Sequence, residues 1–487
     1  MCGIIAYVGP RDCASVVFSG LKQLEYRGYD SWGIALRTEE GAFLFRQVGK
    51  ISEVAPDSIL GNKGSLGIGH TRWATHGNVT QHNAHPHASN DGSIFVAHNG
   101  IVENFHELRT LLTNKGFQLL SETDTEVIPN LVQLTLQEGK SFPDAVRQAL
   151  TMLEGSYAVV VFSANHEVLI GAVRGSPLAV GLGHKEYFMA SDVTSFLEYT
   201  KRVVYVDDQE LALLTREKAL FLDVADGSPK TKLPTTIDWT VEQAQKGPHS
   251  HFMLKEIIEQ ESTIKTAVGQ DAAELDQVTR CLQQAFGVFF VGCGTSYHAC
   301  VSASYVFSKV AKKHVNVVIG SEFANYEDFL TQDTLLVAVS QSGETADILE
   351  AVRSARKHGA KVIAIANVMG STLTRLADLT IYINAGPEIC VLSTKSYTSQ
   401  LAVLTLLAYA VAGKVEEGKS LLTNVAQAVP ALITENVKKL KTLAKSLATQ
   451  RDFFLIGRDL AYPTALEGAL KIKEVSYIHA EGFPGAE

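Results

Sequence analysis

The sequence has few cysteines, no long apolar run and no excess of positive charge. Its six cysteines, at positions 2, 13, 281, 293, 300 and 390 of 487 residues, lack the paired spacing of a zinc site. The longest apolar run, residues 401–413, is shorter than the ~18 residues that a membrane-spanning helix needs. The formal net charge of −9 argues against a nucleic acid or an anionic membrane as a partner. We therefore expect a soluble protein of a reducing, cytoplasmic compartment that acts on small molecules.

The pattern along the chain divides it into two kinds of domain. Residues 1–238 contain short β-rich runs, turns and a few amphipathic helices, which predicts an α+β domain with antiparallel sheets. The polar stretch 239–251 has little periodicity and predicts a linker. In residues 252–425, apolar strands, Gly/Ser-rich turns and helices alternate, which predicts an α/β doubly wound parallel sheet. A weak repeat of that unit begins near position 450, so residues 426–487 are predicted to start a second, truncated domain of this kind.

The chain opens Met-Cys-Gly-Ile, so removal of Met1 would make Cys2 the amino-terminal residue. Its α-amino group, with a pKa of about 7.7–8.0, could then deprotonate its own thiol. Position alone favours the alternative of an ordinary cysteine near the start of a chain. If Met1 is retained, the amino group is locked in a peptide bond and this base is lost.

Other segments supply groups that the hydrolysis of a carboxamide needs. Asn99 and Gly100 offer a side-chain amide and a backbone N–H that can hold an oxyanion. Arg72 and Asp124 can pair with the carboxylate and the ammonium of a free amino acid. Taken singly, Asn-Gly is typical of a hairpin turn, Arg72 of a surface charge and Asp124 of a helix N-cap. Their occurrence together with Cys2 favours an amidase site.

The second half contains a candidate phosphate site and a charged stripe. Residues 340–345, Ser-Gln-Ser-Gly-Glu-Thr, follow an apolar strand and precede a helix predicted from Ala346, a position that favours a phosphate dianion. The segment lacks the Lys of a nucleotide-binding P-loop, which favours a sugar phosphate over ATP; an ordinary strand-to-helix turn is the alternative. On the final helix, Glu467, Lys471 and Glu474 share one face, a spacing that is normally typical of a solvated surface.

Several motifs together resemble the glutamine:fructose-6-phosphate amidotransferase family. They are Met-Cys-Gly-Ile at 1–4, Leu-Glu-Tyr-Arg-Gly-Tyr-Asp-Ser at 24–31, Gly-His-Thr-Arg-Trp-Ala-Thr-His-Gly at 69–77 and Ser-Glu-Thr-Asp-Thr-Glu at 121–126. The resemblance implies an amino-terminal-nucleophile (class II) glutaminase domain followed by sugar-isomerase (SIS) domains. It implies that Cys2 is the nucleophile and that Asn99 and Gly100 form the oxyanion hole. The implied glutamine-binding residues are Arg72, Trp73, Thr75, His76 and Asp124, with Trp73 also gating an ammonia channel.

The resemblance continues through the turns at 294–296, 340–345 and 391–395 and through the final helix. The implied phosphate and sugar contacts are Thr295, Ser296, Ser340, Gln341, Ser342, Thr345, Val391 and Ser393. Glu474 is implied to shuttle a proton between C1 and C2 of the sugar, with Lys471 as its charged helper. The implied reaction makes glucosamine 6-phosphate from fructose 6-phosphate and L-glutamine, the first step of hexosamine biosynthesis. The family further implies a homodimer, and neither a metal nor a cofactor is needed.

Members of the family continue well past the point where this chain ends, through a His that opens the sugar ring and a Lys near the carboxyl terminus. We therefore expect a complete glutaminase domain, a complete first sugar-isomerase domain and an isomerase site that does not turn over as written. Other amidotransferases are disfavoured, because the sequence lacks the pyrophosphatase loop of an asparagine synthetase and the acidic diphosphate loop of a phosphoribosyl enzyme. Activity of the glutaminase half alone, or a non-catalytic sugar-phosphate-binding regulatory role, stays open.

Overall fold

The computed structural model of the chain consists of two compact units, Met1–Val241 and Glu242–Glu487. The structure describes residues 2–54, 57–62, 64–74 and 76–486. Among these, no helix has both the length and the apolar character that crossing a membrane requires.

The first unit is built mainly of strands. Its elements are β1 (Gly3–Val8), α1 (Cys13–Gln23), β2 (Ser31–Thr38), β3 (Gly41–Val48), α2 (Asp57–Leu60), β4 (Leu66–Arg72), β5 (His87–Ala88), β6 (Ile94–Val102), α3 (Phe105–Asn114), α4 (Val127–Gln137), α5 (Phe142–Thr151), β7 (Gly155–Ser163), β8 (Leu169–Arg174), β9 (Ala179–Leu182), β10 (Tyr187–Ala190), β11 (Arg202–Tyr205), β12 (Glu210–Leu214), β13 (Ala219–Asp223), β14 (Pro229–Lys230) and β15 (Thr235–Thr236). Short 3₁₀ helices cover Glu25–Arg27, Ile51–Glu53 and Val193–Ser195.

These strands form two stacked antiparallel sheets. In the described residues one sheet has the order β15-β11-β9-β10-β1-β4-β2-β3 and the other the order β14-β13-β12-β8-β7-β6-β5. Side chains of a strand alternate between its two faces. Ile4 of β1 and Val160 of β7 therefore meet in the core between the sheets, whereas Val159 joins a second core under α3, α4 and α5. Helix α1 packs against β1 and β4, so the unit is a helix-sheet-sheet-helix sandwich, and the predicted α+β antiparallel class is confirmed.

The second unit alternates strands and helices. The chain continues with α6 (Val241–Ala244), α7 (Phe252–Val268), α8 (Ala272–Gln284), β16 (Gly287–Gly292), α9 (Thr295–Val306), β17 (Asn316–Ile319), β18 (Thr334–Ser340), α10 (Ala346–Lys357), β19 (Lys361–Ala366), α11 (Thr372–Leu376), β20 (Leu379–Tyr382), α12 (Lys395–Val411), α13 (Val415–Leu447), β21 (Asp452–Gly457), α14 (Ala461–Ser476) and β22 (His479–Pro484). A π-helical segment covers Phe307–Ala311 and a 3₁₀ segment covers Gly320–Phe329.

The main sheet of this unit is parallel and covered on both faces. Its strand order among the described residues is β17-β16-β18-β19-β20. Phe290 and Val337 pack under α7, α8, α9, α12 and α13, whereas Phe289 and Leu336 pack under α10 and α11. This two-sided burial explains why the strands are continuously apolar. The predicted doubly wound sheet is thereby confirmed.

Two features of the second unit position its polar loops. From β16 the chain moves to β17 on one side and then to β18 on the other, so the order reverses between β16 and β18. Ligands of open α/β sheets bind beyond the carboxyl ends of the strands at such a switch point. Separately, β21 and β22 pair in parallel around α14, and α14 also packs against α9.

Candidate active sites

In the first unit, Cys2 lies immediately before β1 and beside the end of β4. The Trp73 backbone N–H donates to Cys2 Sγ over 3.2 Å, and the Cys2 thiol lies 3.5 Å from the Trp73 carbonyl oxygen as its donor. Burial raises the pKa of the Cys2 thiol, while the Trp73 N–H and the positive charge of Arg72 oppose that rise. The same backbone donor is therefore placed to stabilise a thiolate on Cys2.

Asn99 and Gly100 come to Cys2 from β6, which belongs to the other sheet. Asn99 Nδ2 donates to the Cys2 carbonyl oxygen over 3.0 Å. Gly100 has φ of +133°, and a Cβ at this position would lie 2.1 Å from the Ser156 carbonyl oxygen, so only glycine fits. Both residues are inside the strand, which makes the hairpin-turn interpretation of this pair wrong.

Arg72, at the end of β4, is a buried cation. Its guanidinium donates to the backbone oxygens of His76 and Asn78. Burial lowers the pKa of Arg72, and the charges of Cys2 and Asp124 oppose this change. The surface-charge interpretation of Arg72 is wrong, because only 3 % of the residue is exposed. His76, by contrast, lies at the surface and contributes a backbone oxygen to this contact.

Asp124 is also buried, and its Oδ2 accepts the Val102 backbone N–H over 2.8 Å. Helix α4 begins at Val127 with Glu126 at its N-cap, so the N-cap interpretation of Asp124 is wrong. The Trp73 ring packs against the Tyr29 ring with 5.4 Å between centroids. Thr75, the remaining glutamine-binding residue implied by the resemblance, lies outside the described residues.

Three polar residues around Cys2 were not singled out from the sequence. Arg27 Nε donates to the Cys2 carbonyl oxygen over 3.2 Å, and Asp30 Oδ2 accepts the Ala74 N–H over 2.8 Å. His70 Nε2 lies 3.0 Å from Asn99 Oδ1. All three belong to the motif runs 24–31 and 69–77, so the density of those runs was the signal that could have identified them.

In the second unit, the predicted phosphate turn lies at the switch point. Ser340 ends β18, and its Oγ accepts the Gly343 N–H over 3.1 Å and lies 3.3 Å from Thr345 Oγ1. Ser342 Oγ accepts the Glu344 N–H over 3.2 Å. Helix α10 begins at residue 346, where the sequence predicted it. The turn thus presents hydroxyls and N–H groups at the amino end of a helix, an arrangement suited to a phosphate.

The neighbouring turn after β16 meets the final helix. Ser296 Oγ accepts from Gln400 Nε2 over 3.1 Å. Thr295 Oγ1 donates to Glu467 Oε1 over 3.0 Å and accepts from Lys471 Nζ over 2.9 Å. The predicted phosphate contact Thr295 and the predicted catalytic Lys471 are therefore in direct contact.

The charged stripe on α14 is one connected network. Lys471 Nζ lies 3.2 Å from Glu467 Oε1 and 2.7 Å from Glu474 Oε2. Glu467 Oε2 also accepts from His298 Nδ1 over 2.8 Å. Burial alone would raise the pKa of Glu467, but the hydrogen bond from His298 and the charge of Lys471 outweigh it and lower that pKa. Glu467 is 5 % exposed, so the solvated-face interpretation is wrong for it, and His298 was missed.

Val391 and Ser393 lie on a third loop, which precedes α12. Glu256 of α7 fixes its start, because Oε1 accepts the Ile389 and Cys390 N–H groups over 2.7 and 3.0 Å. The Val391 side chain is apolar and exposed. Among the described residues, Thr295 and Lys471 bond to each other, Glu467 and Glu474, and the Ser393 hydroxyl is not part of that network. Burial raises the pKa of Glu256 to about 7.

Within the described ranges, no group of three or more His, Cys, Asp or Glu side chains is arranged to hold a metal ion.

Comparison with known proteins gives two family matches: "Glutamine amidotransferase domain" over residues 39–226 and "SIS domain" over residues 282–410. The glutamine–fructose-6-phosphate aminotransferase [isomerizing] of Pyrococcus horikoshii is 46 % identical over 493 residues, covering 100 % of this chain and 82 % of that protein. The protein of the same name from Thermus thermophilus is 42 % identical, with the same two coverages of 100 % and 82 %. Among solved structures, the C-terminal domain of glucosamine-fructose-6-phosphate aminotransferase from Francisella tularensis matches with a TM-score of 0.46 at 35 % identity, covering 50 % of this chain and 72 % of that one.

Proposed function

This chain belongs to the glutamine–fructose-6-phosphate aminotransferase [isomerizing] family, and we propose that it makes glucosamine 6-phosphate from fructose 6-phosphate with nitrogen taken from L-glutamine. It combines an amino-terminal-nucleophile glutamine amidotransferase domain with a SIS domain. We assign residues 1–238 to the glutaminase domain, 239–251 to a linker, 252–425 to the first sugar-isomerase domain and 426–487 to the start of the second. The start of α7 at residue 252 supports the end of the linker, although the linker itself contains the short helix α6. The boundary at 425/426 falls inside the continuous helix α13, and the strand-helix-strand unit β21-α14-β22 begins only at residue 452.

The observation that carries the glutaminase assignment is the setting of Cys2, whose thiol sulfur accepts the Trp73 N–H and whose carbonyl oxygen accepts Asn99 Nδ2. The thiolate of Cys2, stabilised by the Trp73 N–H, attacks the carboxamide carbon of glutamine, and a C–S bond forms. The oxyanion that develops accepts hydrogen bonds from Asn99 Nδ2 and the Gly100 N–H. Collapse of the tetrahedral adduct breaks the C–N bond, and the proton that the Cys2 α-amino group took from the thiol passes to the leaving nitrogen, which departs as ammonia. Water then hydrolyses the thioester to glutamate and regenerates the thiol.

The charges of Arg72 and Asp124 indicate how the amino-acid end of glutamine binds. Arg72 is a buried guanidinium near Asp124, so these two can pair with the α-carboxylate and the α-ammonium of the substrate. Trp73, Thr75 and His76 complete the binding residues of this proposal. With Met1 removed, the α-amino group of Cys2 acts as the general base for its own thiol.

The sugar-phosphate assignment rests on the switch point of the parallel sheet. Hydroxyls of the turns after β16 and β18 bind the phosphate in this proposal: Thr295, Ser296, Ser340, Ser342 and Thr345, together with Gln341 and the loop residues Val391 and Ser393. Glu474 transfers the proton between C1 and C2, and Lys471 lies 2.7 Å from it as a charge partner. No metal or cofactor takes part in these steps.

We also propose a cytoplasmic homodimer. The dimer and the location rest on the family. The free thiols of the six cysteines, all of which lie in the described ranges, fit a reducing compartment.

Two single substitutions test the two halves separately. Cys2→Ala is expected to abolish glutamate release from glutamine and the single adduct that 6-diazo-5-oxo-norleucine adds to the intact mass. Cys281→Ala, on α8, is the matched control and is expected to retain both. Residual glutaminase activity in Cys2→Ala would contradict the nucleophile assignment.

For the phosphate turn, Ser342→Ala is expected to raise the Kd for fructose 6-phosphate about 10–100-fold and to leave basal glutaminase activity unchanged, since one hydrogen bond to a charged group contributes about 1.5–3 kcal/mol. Ser321→Ala removes an exposed hydroxyl of the same unit and serves as the control. An unchanged Kd for Ser342→Ala would place the phosphate elsewhere.

A further inference from the structure

His70 lies in β4, is fully buried, and faces the side of Asn99 opposite Cys2. Its Nε2 is 3.0 Å from Asn99 Oδ1 and 3.2 Å from the His98 backbone carbonyl oxygen. A backbone carbonyl can only accept a hydrogen bond. Nε2 must therefore carry the imidazole proton, and that proton is available to Asn99.

The orientation of the Asn99 amide is fixed from both of its ends. Asn99 Nδ2 lies 3.0 Å from the Cys2 carbonyl oxygen, which is also an acceptor only. If the amide were flipped, its oxygen would face the Cys2 carbonyl and its NH₂ would face the protonated Nε2 of His70. Only the orientation with Oδ1 toward His70 and NH₂ toward Cys2 satisfies both contacts.

The surroundings of His70 keep the ring neutral. The His85 ring stacks on it with 4.2 Å between centroids. Burial, together with the charges of His98 and Arg72, lowers the pKa of His70 to about 3, and the hydrogen bonds to Asn99 and to the His98 carbonyl oppose this only in part. Nδ1 of His70 has no hydrogen-bond partner within the described residues. A second proton on the ring would therefore be a buried charge without an anion beside it.

We propose that His70 is a positioning residue of the glutaminase reaction, whose Nε2–H holds the Asn99 amide with its NH₂ on the side of Cys2 where the oxyanion develops. The inference rests on the glutaminase function proposed above and adds a residue to it. Because His70 acts on the oxyanion donor and contacts no group assigned to the binding of glutamine, its loss is expected to lower kcat and to leave KM nearly unchanged. The expected loss is about 10–100-fold, below the ~10²–10³-fold that follows removal of an oxyanion donor itself.

Three substitutions separate this role from a packing role. His70→Phe keeps a ring of similar size without a donor, and we expect it to lower kcat for glutamine hydrolysis about 10–100-fold. His70→Gln places an amide N–H near the position of Nε2, and we expect it to recover most of that loss. His85→Asn removes the stacked ring but keeps a side-chain acceptor for the His98 N–H, which His85 Nδ1 accepts over 3.4 Å, and we expect kcat within about threefold of the unmodified protein.

The rate of Cys2 alkylation tests the reactivity of the thiol independently of the oxyanion hole. Alkylation of Cys2 by iodoacetamide forms no oxyanion, so His70→Phe is expected to react at the unmodified rate although its glutaminase kcat falls. Normal kcat in His70→Phe, or equal impairment of His70→Gln and His70→Phe, would overturn the proposal. Slowed alkylation in His70→Phe would also overturn it, because the defect would then lie at Cys2 itself.

A measurement of the tautomer tests the geometry without relying on activity. In ¹⁵N-labelled protein, with the His70 signals identified by their loss in His70→Gln, we expect a neutral ring with the proton on Nε2 from pH 5 to 8. A proton on Nδ1, or titration near pH 6, would overturn the proposal even if every variant folded poorly. A protein that shows the expected tautomer but hydrolyses no glutamine would instead contradict the proposed glutaminase function.

Discussion

The carboxylate of Glu467 accepts a hydrogen bond from His298, with 2.8 Å between Oε2 and Nδ1. This contact joins α14 to α9, and Thr295 and Lys471 bond to the other carboxylate oxygen. The same helix carries Glu474, the group proposed to move the proton on the sugar. The position of Glu474 therefore depends on the buried network around Glu467. A helix face that was simply exposed to solvent would not hold it in this way.

We predict that Glu467→Ala destabilises the second unit by about 3–5 kcal/mol, because it leaves Lys471 and His298 without their shared buried partner. The measurement is the free energy of unfolding in guanidinium chloride. Glu261→Ala on α7 is the matched control, since Glu261 forms an ion pair with Lys265 at the surface and its loss should change stability by less than about 1 kcal/mol. Similar losses in the two variants would show that the Glu467 network contributes little.

The fold class could be predicted from the sequence, because strand and helix patterns are local properties. The site residues proposed above were likewise selected from dense local motifs. The start of α10 at residue 346 follows from the apolar strand and polar turn before it. The burial of Glu467 could not be predicted in this way, because it depends on α9, about 170 residues earlier in the chain. The neighbourhood of Cys2 shows the same limit: His70 and Asn99 are on strands of different sheets, and only the fold shows that one orients the other.

Gly100→Ala is predicted to lower kcat/KM for glutamine hydrolysis at least about 100-fold, since the new Cβ would lie 2.1 Å from the Ser156 carbonyl oxygen and move one donor of the oxyanion hole. Gly41→Ala is an unusually close control. Gly41 has φ of +128°, near the +133° of Gly100, but a Cβ there meets no atom within 4 Å. Both variants carry the backbone strain of a positive φ. Equal activities would mean that the close approach at Gly100 does not matter.

The raised pKa of Glu256 predicts a specific dependence of stability on pH. In the folded protein the Glu256 carboxyl has a pKa of about 7, whereas the ordinary pKa of a glutamate carboxyl is 4.5. Below pH 4.5 the Glu256 carboxyl is protonated in both the folded and the unfolded protein, so it does not change the free energy of unfolding. As the pH rises from 4.5 toward 7, the carboxyl ionises in the unfolded chain but not in the folded protein, and the free energy of unfolding falls. The glutamine in Glu256→Gln can still accept the Ile389 and Cys390 N–H groups but does not ionise.

We therefore expect Glu256→Gln to match the unmodified protein at pH 4 and to exceed its free energy of unfolding by about 3 kcal/mol at pH 8. Guanidinium unfolding at the two pH values measures this difference. Glu261→Gln, an exposed carboxylate of the same helix, should show no such change. A Glu256→Gln variant that is less stable than the unmodified protein at pH 8 would mean that the negative charge is needed at the loop before α12.

Transfer of the amide nitrogen from glutamine to the sugar distinguishes an aminotransferase from a glutaminase that acts alone. The protein is incubated with fructose 6-phosphate and glutamine labelled with ¹⁵N in the amide, and both products are quantified by mass spectrometry. We expect ¹⁵N-labelled glucosamine 6-phosphate and glutamate in equal amounts, and neither product from Cys2→Ala. Glutamate without labelled amino sugar would contradict the aminotransferase function and leave a glutaminase; labelled amino sugar from Cys2→Ala would contradict the proposed nucleophile.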